Sequence, residues 1–314
     1  MKRILFLTAL LCFPVGTVAA DEHVASNDAA SAPSDNSPPP KLTVFQAIIL
    51  GLVEGATEYL PVSSTGHLLI AEHLLGMDGD ERQKAAAESL AICIQSGAIL
   101  AVLLLYASRI RQVVMGMLGK DPDGLRLLIN LMVAFFPAAV IGLLFNKWIK
   151  QHFFSLTSVC LALLTGGLII LAQSLRRKPA DPQAGRELTA MTPIEALIVG
   201  LFQCVAFWPG FSRSLSTILG CQLAGLRMMA AVEFSFLLGL VTLSAATSYE
   251  GLKHGAEMIS SYGVATPAIA LVTAFAAAIV SVRFMVTSLS RFGLTPFGYY
   301  RILLAAVCYL WLAA

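Results

Sequence analysis

Apolar blocks of membrane-spanning length recur along most of the chain, and they restrict it to one class of fold. The sequence is 57% hydrophobic and 13% charged, whereas a soluble domain is usually about 25% charged. A bilayer span takes about 20 mostly apolar residues. Helices satisfy their own backbone hydrogen bonds in lipid, so the pattern predicts an all-α polytopic membrane protein. The net charge of +2, without a basic run, predicts no nucleic-acid partner.

The first 40 residues differ from the rest. Lys2 and Arg3 precede a short apolar run, and Val18-Ala19-Ala20 offers the small residues of a cleavage site. This layout predicts a signal peptide over residues 1–20, with an uncleaved first span as the alternative. Residues 21–40 are rich in Asp, Ser, Ala and Pro and predict a disordered linker outside the cytoplasm. The integral membrane domain then covers residues 41–314.

Two hydrophobic segments interrupted by proline occupy corresponding places in the chain. The first covers about 42–75 and breaks at Pro61; the second covers about 192–226 and breaks at Pro209. Their sequences match locally, Gly51-Leu52-Val53-Glu54 against Gly200-Leu201-Phe202-Gln203, and a serine follows nine residues later in both. Paired, interrupted segments of this kind indicate a binding site between two repeats.

Each interrupted segment is followed by three predicted spans. We therefore predict two repeats, residues 41–175 and 192–314, each a re-entrant helix hairpin plus three transmembrane helices. Three crossings invert the second repeat relative to the first. Loops near 108–124, 175–191 and 290–297 carry more Lys and Arg than the loops on the other side, which places them in the cytoplasm.

Glu54 and Glu58 lie in the first interrupted segment. Their i,i+4 spacing puts both on one helix face, and a charge at the bilayer centre costs about 2.5–3.5 kcal/mol on insertion scales. Two adjacent carboxylates favour a cation, and oxygen ligands suit Mg²⁺ or Ca²⁺, which often bridge to substrate phosphates. The alternative is a structural pair satisfied by Arg, Ser or Thr from another helix.

Hydroxyl side chains cluster where the second helix of each hairpin is predicted to begin: Ser63, Ser64 and Thr65, then Ser212, Ser214, Ser216 and Thr217. Helix N-termini present free N–H groups that bind phosphate. An ordinary N-cap with spare hydroxyls is the alternative.

His67 and Arg213 add the remaining functional groups. His67 lies one helical turn beyond Ser64 and suits a general acid or base. Arg213 can hold a phosphate through two parallel hydrogen bonds, or it can pair with Glu54 or Glu58, or do both. Two helix starts with these groups predict a phosphate or diphosphate site.

These residues resemble the undecaprenyl-diphosphate phosphatases of the bacitracin-resistance type. Two motifs carry the resemblance: Glu54-Gly-Ala-Thr-Glu58 continuing into Leu60-Pro-Val-Ser-Ser-Thr-Gly-His67, and Trp208-Pro-Gly-Phe-Ser-Arg-Ser214. The resemblance covers residues 41–314. The chain departs from the family at Leu215, where members usually have glycine.

The resemblance implies hydrolysis of undecaprenyl diphosphate to undecaprenyl phosphate plus inorganic phosphate. That reaction recycles the lipid carrier for peptidoglycan synthesis and confers bacitracin resistance. The resemblance also implies a multi-pass protein of the bacterial inner membrane, with its active site open to the periplasm and dependent on a divalent cation, Mg²⁺ or Ca²⁺. A homodimer is compatible with it. The implied catalytic residues are Glu54, Glu58, Ser64, His67 and Arg213. The implied phosphate-binding residues are Ser63, Thr65, Ser212, Ser214 and Thr217.

We expect Glu54 and Glu58 to hold the cation and Ser64 Oγ to attack the terminal phosphorus. His67 or Glu58 would accept the proton, and attack by water activated by a carboxylate is the competing route.

A carrier that flips a polyprenyl phosphate is the rival function, because inverted repeats are common in carriers. The two hairpins are chemically unequal, however, since Gln203 matches Glu54 and Phe207 matches Glu58. A hydrolase that works on one side of the membrane would show this asymmetry. A lipid-binding structural protein is a third, weaker alternative.

Overall fold

The computed structural model describes residues 42–77, 81–176 and 185–313. The regular elements in these ranges are helices, which confirms the predicted all-α class. The predicted signal peptide and linker, residues 1–20 and 21–40, lie outside the described residues.

The first proline-broken segment forms two helices, α1 (Val44–Thr57) and α2 (Ser64–Leu74). α1 begins at a capping box, in which the Thr43 hydroxyl accepts from Gln46 N and the Gln46 side chain accepts from Thr43 N. The chain leaves the helix just before Pro61, whose ring and missing N–H interrupt a helix. The predicted break is confirmed.

Four helices follow: α3 (Glu81–Leu105), α4 (Ala107–Met117), α5 (Pro122–Phe153) and α6 (Leu156–Arg176). The loop predicted near 108–124 is wrong over its first part, because α4 occupies it after a bend of 78° from α3. α4 combines basic residues with apolar residues at helical spacing. The loop was predicted from the basic residues alone. α5 starts where the Asp121 side chain accepts from Gly124 N at 2.9 Å.

The second interrupted segment repeats the arrangement of the first. α7 (Pro193–Cys204) starts at a capping box made by Thr192 and Glu195 and continues into a short 3-10 turn, Val205–Phe207. The chain then turns at Pro209 and Gly210, and α8 (Arg213–Leu223) follows. Three long helices complete the fold: α9 (Met228–Tyr262), α10 (Ala265–Phe292) and α11 (Thr295–Ala313).

Glycines allow the hairpin helices to approach long helices closely. α1 packs along α10, and a Cβ on Gly51 would lie 2.4 Å from the carbonyl oxygen of Ala270. α7 packs along α5, and a Cβ on Gly200 would lie 2.4 Å from the carbonyl oxygen of Ala134. These distances are far inside van der Waals contact, so both crossings require a residue without a side chain.

Within the described residues, four helices are long and apolar enough to cross a membrane, or up to five if a bent pair counts as one span. They are α5, α6, α9 and α10, and α3 with α4 is the bent pair. The predicted span that falls outside this set is α11, which carries Arg301. Large apolar side chains such as Leu143 and Val280 face outward, as lipid contact requires. The chain is a multi-pass membrane protein.

Candidate active site

The two hairpins meet at their breaks, and both second helices begin in a strained backbone conformation. Ser63 (φ 73°) and Ser212 (φ 79°) are the only non-glycine residues with positive φ among those described. Each caps its helix, since Ser63 Oγ accepts from Gly66 N and Ser212 Oγ accepts from Leu215 N, both at 3.3 Å. Positive φ is costly for residues with a Cβ and clusters at functional sites.

A buried ion pair joins the hairpins. Arg213, the first residue of α8, donates from Nη2 to Oε1 of Glu58, just after α1, at 2.7 Å. Arg213 also donates from Nη1 to the carbonyl oxygen of Ser235 on α9 at 3.1 Å. Its guanidinium carbon lies 5.4 Å from the ring centroid of Tyr59, a favourable cation–π position. The alternative in which Arg213 pairs with a carboxylate is the arrangement that the structure shows.

Ser64 shares the carboxylate of Glu58 with Arg213. Its hydroxyl donates to Oε2 of Glu58, and both side chains are buried. One oxygen of Glu58 therefore orients the guanidinium while the other contacts the hydroxyl proton. An ionised carboxylate in that position can accept the proton when the hydroxyl oxygen attacks an electrophile.

Glu54 lies one helical turn before Glu58 and is 1% exposed. Its Oε1 atom has no hydrogen-bond partner within the described part of the chain. A buried carboxylate without a partner is costly, so this oxygen suits a cation. Among residues 42–77, 81–176 and 185–313, no group of three or more His, Cys, Asp and Glu side chains could hold a metal ion. Two carboxylates fit Mg²⁺, which keeps waters and binds substrate phosphates besides one or two carboxylates.

Both ring nitrogens of His67 have partners other than the Ser64 hydroxyl. Its Nδ1 lies 2.6 Å from the carbonyl oxygen of Ser63, and its Nε2 lies 2.6 Å from the hydroxyl of Tyr300 on α11. A carbonyl can only accept, so Nδ1 carries a proton, and in the neutral ring Nε2 then accepts from Tyr300. Of the two predicted proton acceptors, Glu58 is the one in contact with Ser64.

The hydroxyls of the second hairpin are engaged inside the protein. Ser214 Oγ lies 3.0 Å from Ser212 Oγ and donates to the carbonyl oxygen of Leu60 at 2.8 Å, which joins the two breaks. Thr217 Oγ1 lies 2.6 Å from Ser235 Oγ and donates to the carbonyl oxygen of Arg213 at 2.9 Å. Ser214 and Thr217 are fully buried. Their role as phosphate ligands stays a prediction.

Thr65 is exposed and lines a cavity of about 150 Å³ together with residues of α5 and of the second hairpin. Asn146 of α5 contributes a polar wall, and Phe207 and Pro209 contribute apolar walls from the second hairpin. The cavity therefore borders the residue next to Ser64 and combines a polar side with an apolar one.

Sequence reasoning missed three contributors, Tyr59, Tyr300 and Arg301. Arg301 is 0% exposed and donates to the carbonyl oxygens of both breaks, Pro61 at 3.2 Å and Gly210 at 2.8 Å. An arginine within an apolar segment was the available signal, because intramembrane charges are rare and functional by default.

Comparisons with known proteins match most of the chain. The model of the family described as "Bacitracin resistance protein BacA" matches residues 47–307. The chain is 46% identical to the undecaprenyl-diphosphatase of Sorangium cellulosum over 270 residues, which cover 85% of this chain and 86% of the relative. It is 42% identical to the undecaprenyl-diphosphatase of Neisseria meningitidis serogroup C over 273 residues, 87% of this chain and 97% of the relative. It is 44% identical to undecaprenyl-diphosphatase 2 of Rhodospirillum rubrum over 259 residues, 82% of this chain and 91% of the relative.

Proposed function

This chain belongs to the BacA family of bacitracin resistance proteins, and we propose that it hydrolyses undecaprenyl diphosphate to undecaprenyl phosphate and inorganic phosphate. It is a membrane hydrolase of the undecaprenyl-diphosphatase type, since similar proteins over most of its length carry that name. The observation that carries the proposal is the Glu58 carboxylate, buried at the meeting point of the hairpins and shared by Ser64 and Arg213.

The chemical step follows from the contacts that the Glu58 carboxylate makes with Ser64 and Arg213. Ser64 Oγ attacks the terminal phosphorus, and Glu58 Oε2 accepts its proton. The bond from that phosphorus to the bridging oxygen breaks, and undecaprenyl phosphate leaves with the electron pair. Water then attacks the phosphorus of the phosphoserine and the bond to Ser64 Oγ breaks. Ser64 Oγ takes the proton back from Glu58, and inorganic phosphate is released. Direct attack by water, with Glu58 as base, is the competing route.

Arg213 can bind the phosphate without releasing Glu58. Its Nη2 and Nη1 atoms are engaged, but its Nε–H is buried and has no partner among the described residues. An unpaired charged donor at this depth favours an anion. Phosphoryl transfer depends mainly on positioning and charge neutralisation, so Arg213 contributes to both.

A divalent cation, Mg²⁺ or Ca²⁺, would be held by Glu54 and Glu58. Support comes from the unpartnered Glu54 oxygen at 1% exposure. When bound, the ion would neutralise charge on the diphosphate oxygens.

The two halves would form inverted repeats. Three features of the first half recur in the second half at one constant separation in the sequence. They are the capping box, the positive-φ serine (Ser63 and Ser212) and the close-packed glycine (Gly51 and Gly200). The partners also exchange between halves, since α1 packs on α10 and α7 packs on α5. These correspondences support the repeat, and the odd number of predicted spans in each half supports its inversion.

An inner-membrane location with the site open to the periplasm is part of the same proposal. It is supported by the predicted leader and by the excess of Lys and Arg in the loops assigned to the cytoplasm. The homodimer stays a prediction.

Phosphate release by purified protein in detergent tests the function. Wild-type protein should release phosphate from undecaprenyl diphosphate with Mg²⁺ or Ca²⁺ present, and removal of divalent ions with a chelator should abolish release. Ser64→Ala should lower kcat at least about 100-fold, in the range of nucleophile and general-base losses. Ser174→Ala is the matched control, because Ser174 Oγ donates only within its own helix, to the carbonyl oxygen of Leu171.

The outcomes separate the alternatives. Absence of phosphate release by the wild type under both ions would refute the hydrolase. Near-normal turnover by Ser64→Ala would rule out the serine route and leave attack by water, in which case Glu58→Gln should still abolish turnover.

A further inference from the structure

Arg301 is the largest fully buried side chain among the described residues. It lies in α11, and its guanidinium donates to four backbone carbonyl oxygens. Two belong to α6: Nε donates to Leu163 O at 3.3 Å and Nη2 donates to Ala162 O at 3.0 Å. The other two belong to the hairpin breaks: Nη1 donates to Pro61 O at 3.2 Å and Nη2 donates to Gly210 O at 2.8 Å.

The space for this side chain is built into α6. A Cβ on Gly166 would lie 2.2 Å from Nη2 and 2.8 Å from Cζ of Arg301. Any other residue at that position would displace the guanidinium. Among the described residues, no carboxylate forms an ion pair with Arg301, so its charge is stabilised by carbonyl dipoles alone.

Each of the two carbonyls at the breaks lies the same number of residues before a side chain of the site. Three residues beyond Pro61 is Ser64, and three residues beyond Gly210 is Arg213. A planar guanidinium has donors in a rigid fork, so one side chain sets the distance between both breaks. The Glu58–Arg213 pair depends on that distance because its two members come from opposite hairpins. The position of Arg213 relative to Ser64 depends on it for the same reason.

We propose that Arg301 is a positioning residue that holds the two hairpin breaks in register and thereby aligns Ser64 with Arg213 for phosphoryl transfer. The inference rests on the proposed function, since turnover measures the alignment. Arg301 acts through the backbone of Pro61 and Gly210 rather than on the substrate. A misplacement of about 1 Å between reacting groups can lower a rate by about 100-fold.

Three variants test the inference in the full-length protein. Arg301→Met removes the donors and the charge at similar length. Arg301→Lys keeps the charge but loses the fork, since a lysine presents its donors from one point. Gly166→Ala keeps Arg301 and displaces it. Gly251→Ala on α9 is the control for Gly166→Ala, because none of the described residues comes within 4 Å of a Cβ at Gly251.

We expect kcat to fall about 100-fold in Arg301→Met and about 10-fold or more in Arg301→Lys and Gly166→Ala. KM should change less than about threefold in all of them, because the lipid tail supplies much of the binding. A double-mutant cycle distinguishes positioning from general stability. Arg213→Lys should lower kcat far less in the Arg301→Met background than in the wild type, since the two losses share one cause.

Several results would overturn the inference while the wild type remains active. One is a folded Arg301→Met protein with kcat within about threefold of the wild type. Another is full turnover of Arg301→Lys, which would assign the effect to charge instead of the fork. If Arg301→Met does not fold, Gly166→Ala decides, and normal turnover there refutes the positioning role. An inactive wild type would instead refute the proposed function itself.

Discussion

Replacing Gly239 with alanine tests whether the Glu58–Arg213 pair must keep its observed geometry. Gly239 lies in α9 where the Arg213 guanidinium passes, and a Cβ there would lie 2.0 Å from Nη1 and 2.5 Å from Cζ. Nonbonded heavy atoms prefer about 3.5–4.0 Å, so the guanidinium would have to move by about 1.5 Å. The substitution thus displaces the arginine and leaves its charge in the protein.

The magnitude follows from the contacts that this movement breaks. Arg213 holds Glu58 Oε1 at 2.7 Å and Ser235 O at 3.1 Å, and a shift of about 1.5 Å takes at least one of these beyond hydrogen-bond range. A hydrogen bond to a charged group is worth about 1.5–3 kcal/mol. At about 1.4 kcal/mol per tenfold, kcat/KM should fall about 10- to 150-fold.

Stability should change less than activity. Alanine is favoured over glycine inside a helix by about 1 kcal/mol, which offsets part of the hydrogen bonding that the displaced Arg213 loses. Gly239→Ala should therefore fold, and its melting temperature in detergent should stay close to that of the wild type. Gly251→Ala in the same helix is the control, because it gains the same helix propensity and its Cβ would meet none of the described residues within 4 Å.

Phosphate release from undecaprenyl diphosphate, measured over a range of substrate concentrations, is the assay. A kcat/KM for Gly239→Ala within about threefold of the Gly251→Ala value would contradict the reasoning, because a displaced Arg213 would then serve as well as the observed one.

Three further predictions concern single contacts of the site. Glu54→Gln should raise the melting temperature, since it removes a buried charge whose Oε1 atom has no partner among the described residues. It should also remove the response of turnover to added Mg²⁺ or Ca²⁺. A lower melting temperature with an unchanged cation response would contradict this. Ser212→Gly should be more stable than Ser212→Ala by about 1 kcal/mol in denaturant titrations in mixed micelles, because glycine tolerates φ 79°; equal stabilities would argue against strain at this cap. Tyr300→Phe should lower the free energy of unfolding by about 1 kcal/mol, because it loses the hydrogen bond between the Tyr300 hydroxyl and His67 Nε2; an unchanged stability would show that this contact is dispensable for the fold.

The two hairpins could be predicted because their signals are local. A proline stops each first helix, and a serine that can cap a helix follows within a few residues. Both features act over one or two helical turns, so they can be recognised in the sequence without knowledge of the tertiary packing. The helix α4 was missed for the opposite reason: its charged residues indicate a loop unless the apolar surface on which it lies is known.

The candidate site could be predicted in its residues and only partly in its contacts. Ser64 and Glu58 were placed together, and their hydrogen bond is present. His67 was expected to serve Ser64, but its ring nitrogens contact the Ser63 carbonyl and Tyr300. Helical spacing places a side chain on a face, whereas its partner depends on a helix that arrives from elsewhere in the chain.

The sequence by itself determined the membrane class, the two broken helices and the chemical groups at their starts, because hydropathy, proline and capping act over short distances along the chain. Only the tertiary structure decided that Arg213 occupies one oxygen of Glu58, that one oxygen of Glu54 has no partner among the described residues, and that Arg301 joins both breaks. Those contacts link residues far apart in the chain: 155 positions for Glu58 and Arg213, 240 for Pro61 and Arg301, and 91 for Gly210 and Arg301. At such separations, packing of whole helices selects each partner, and no local pattern encodes the choice.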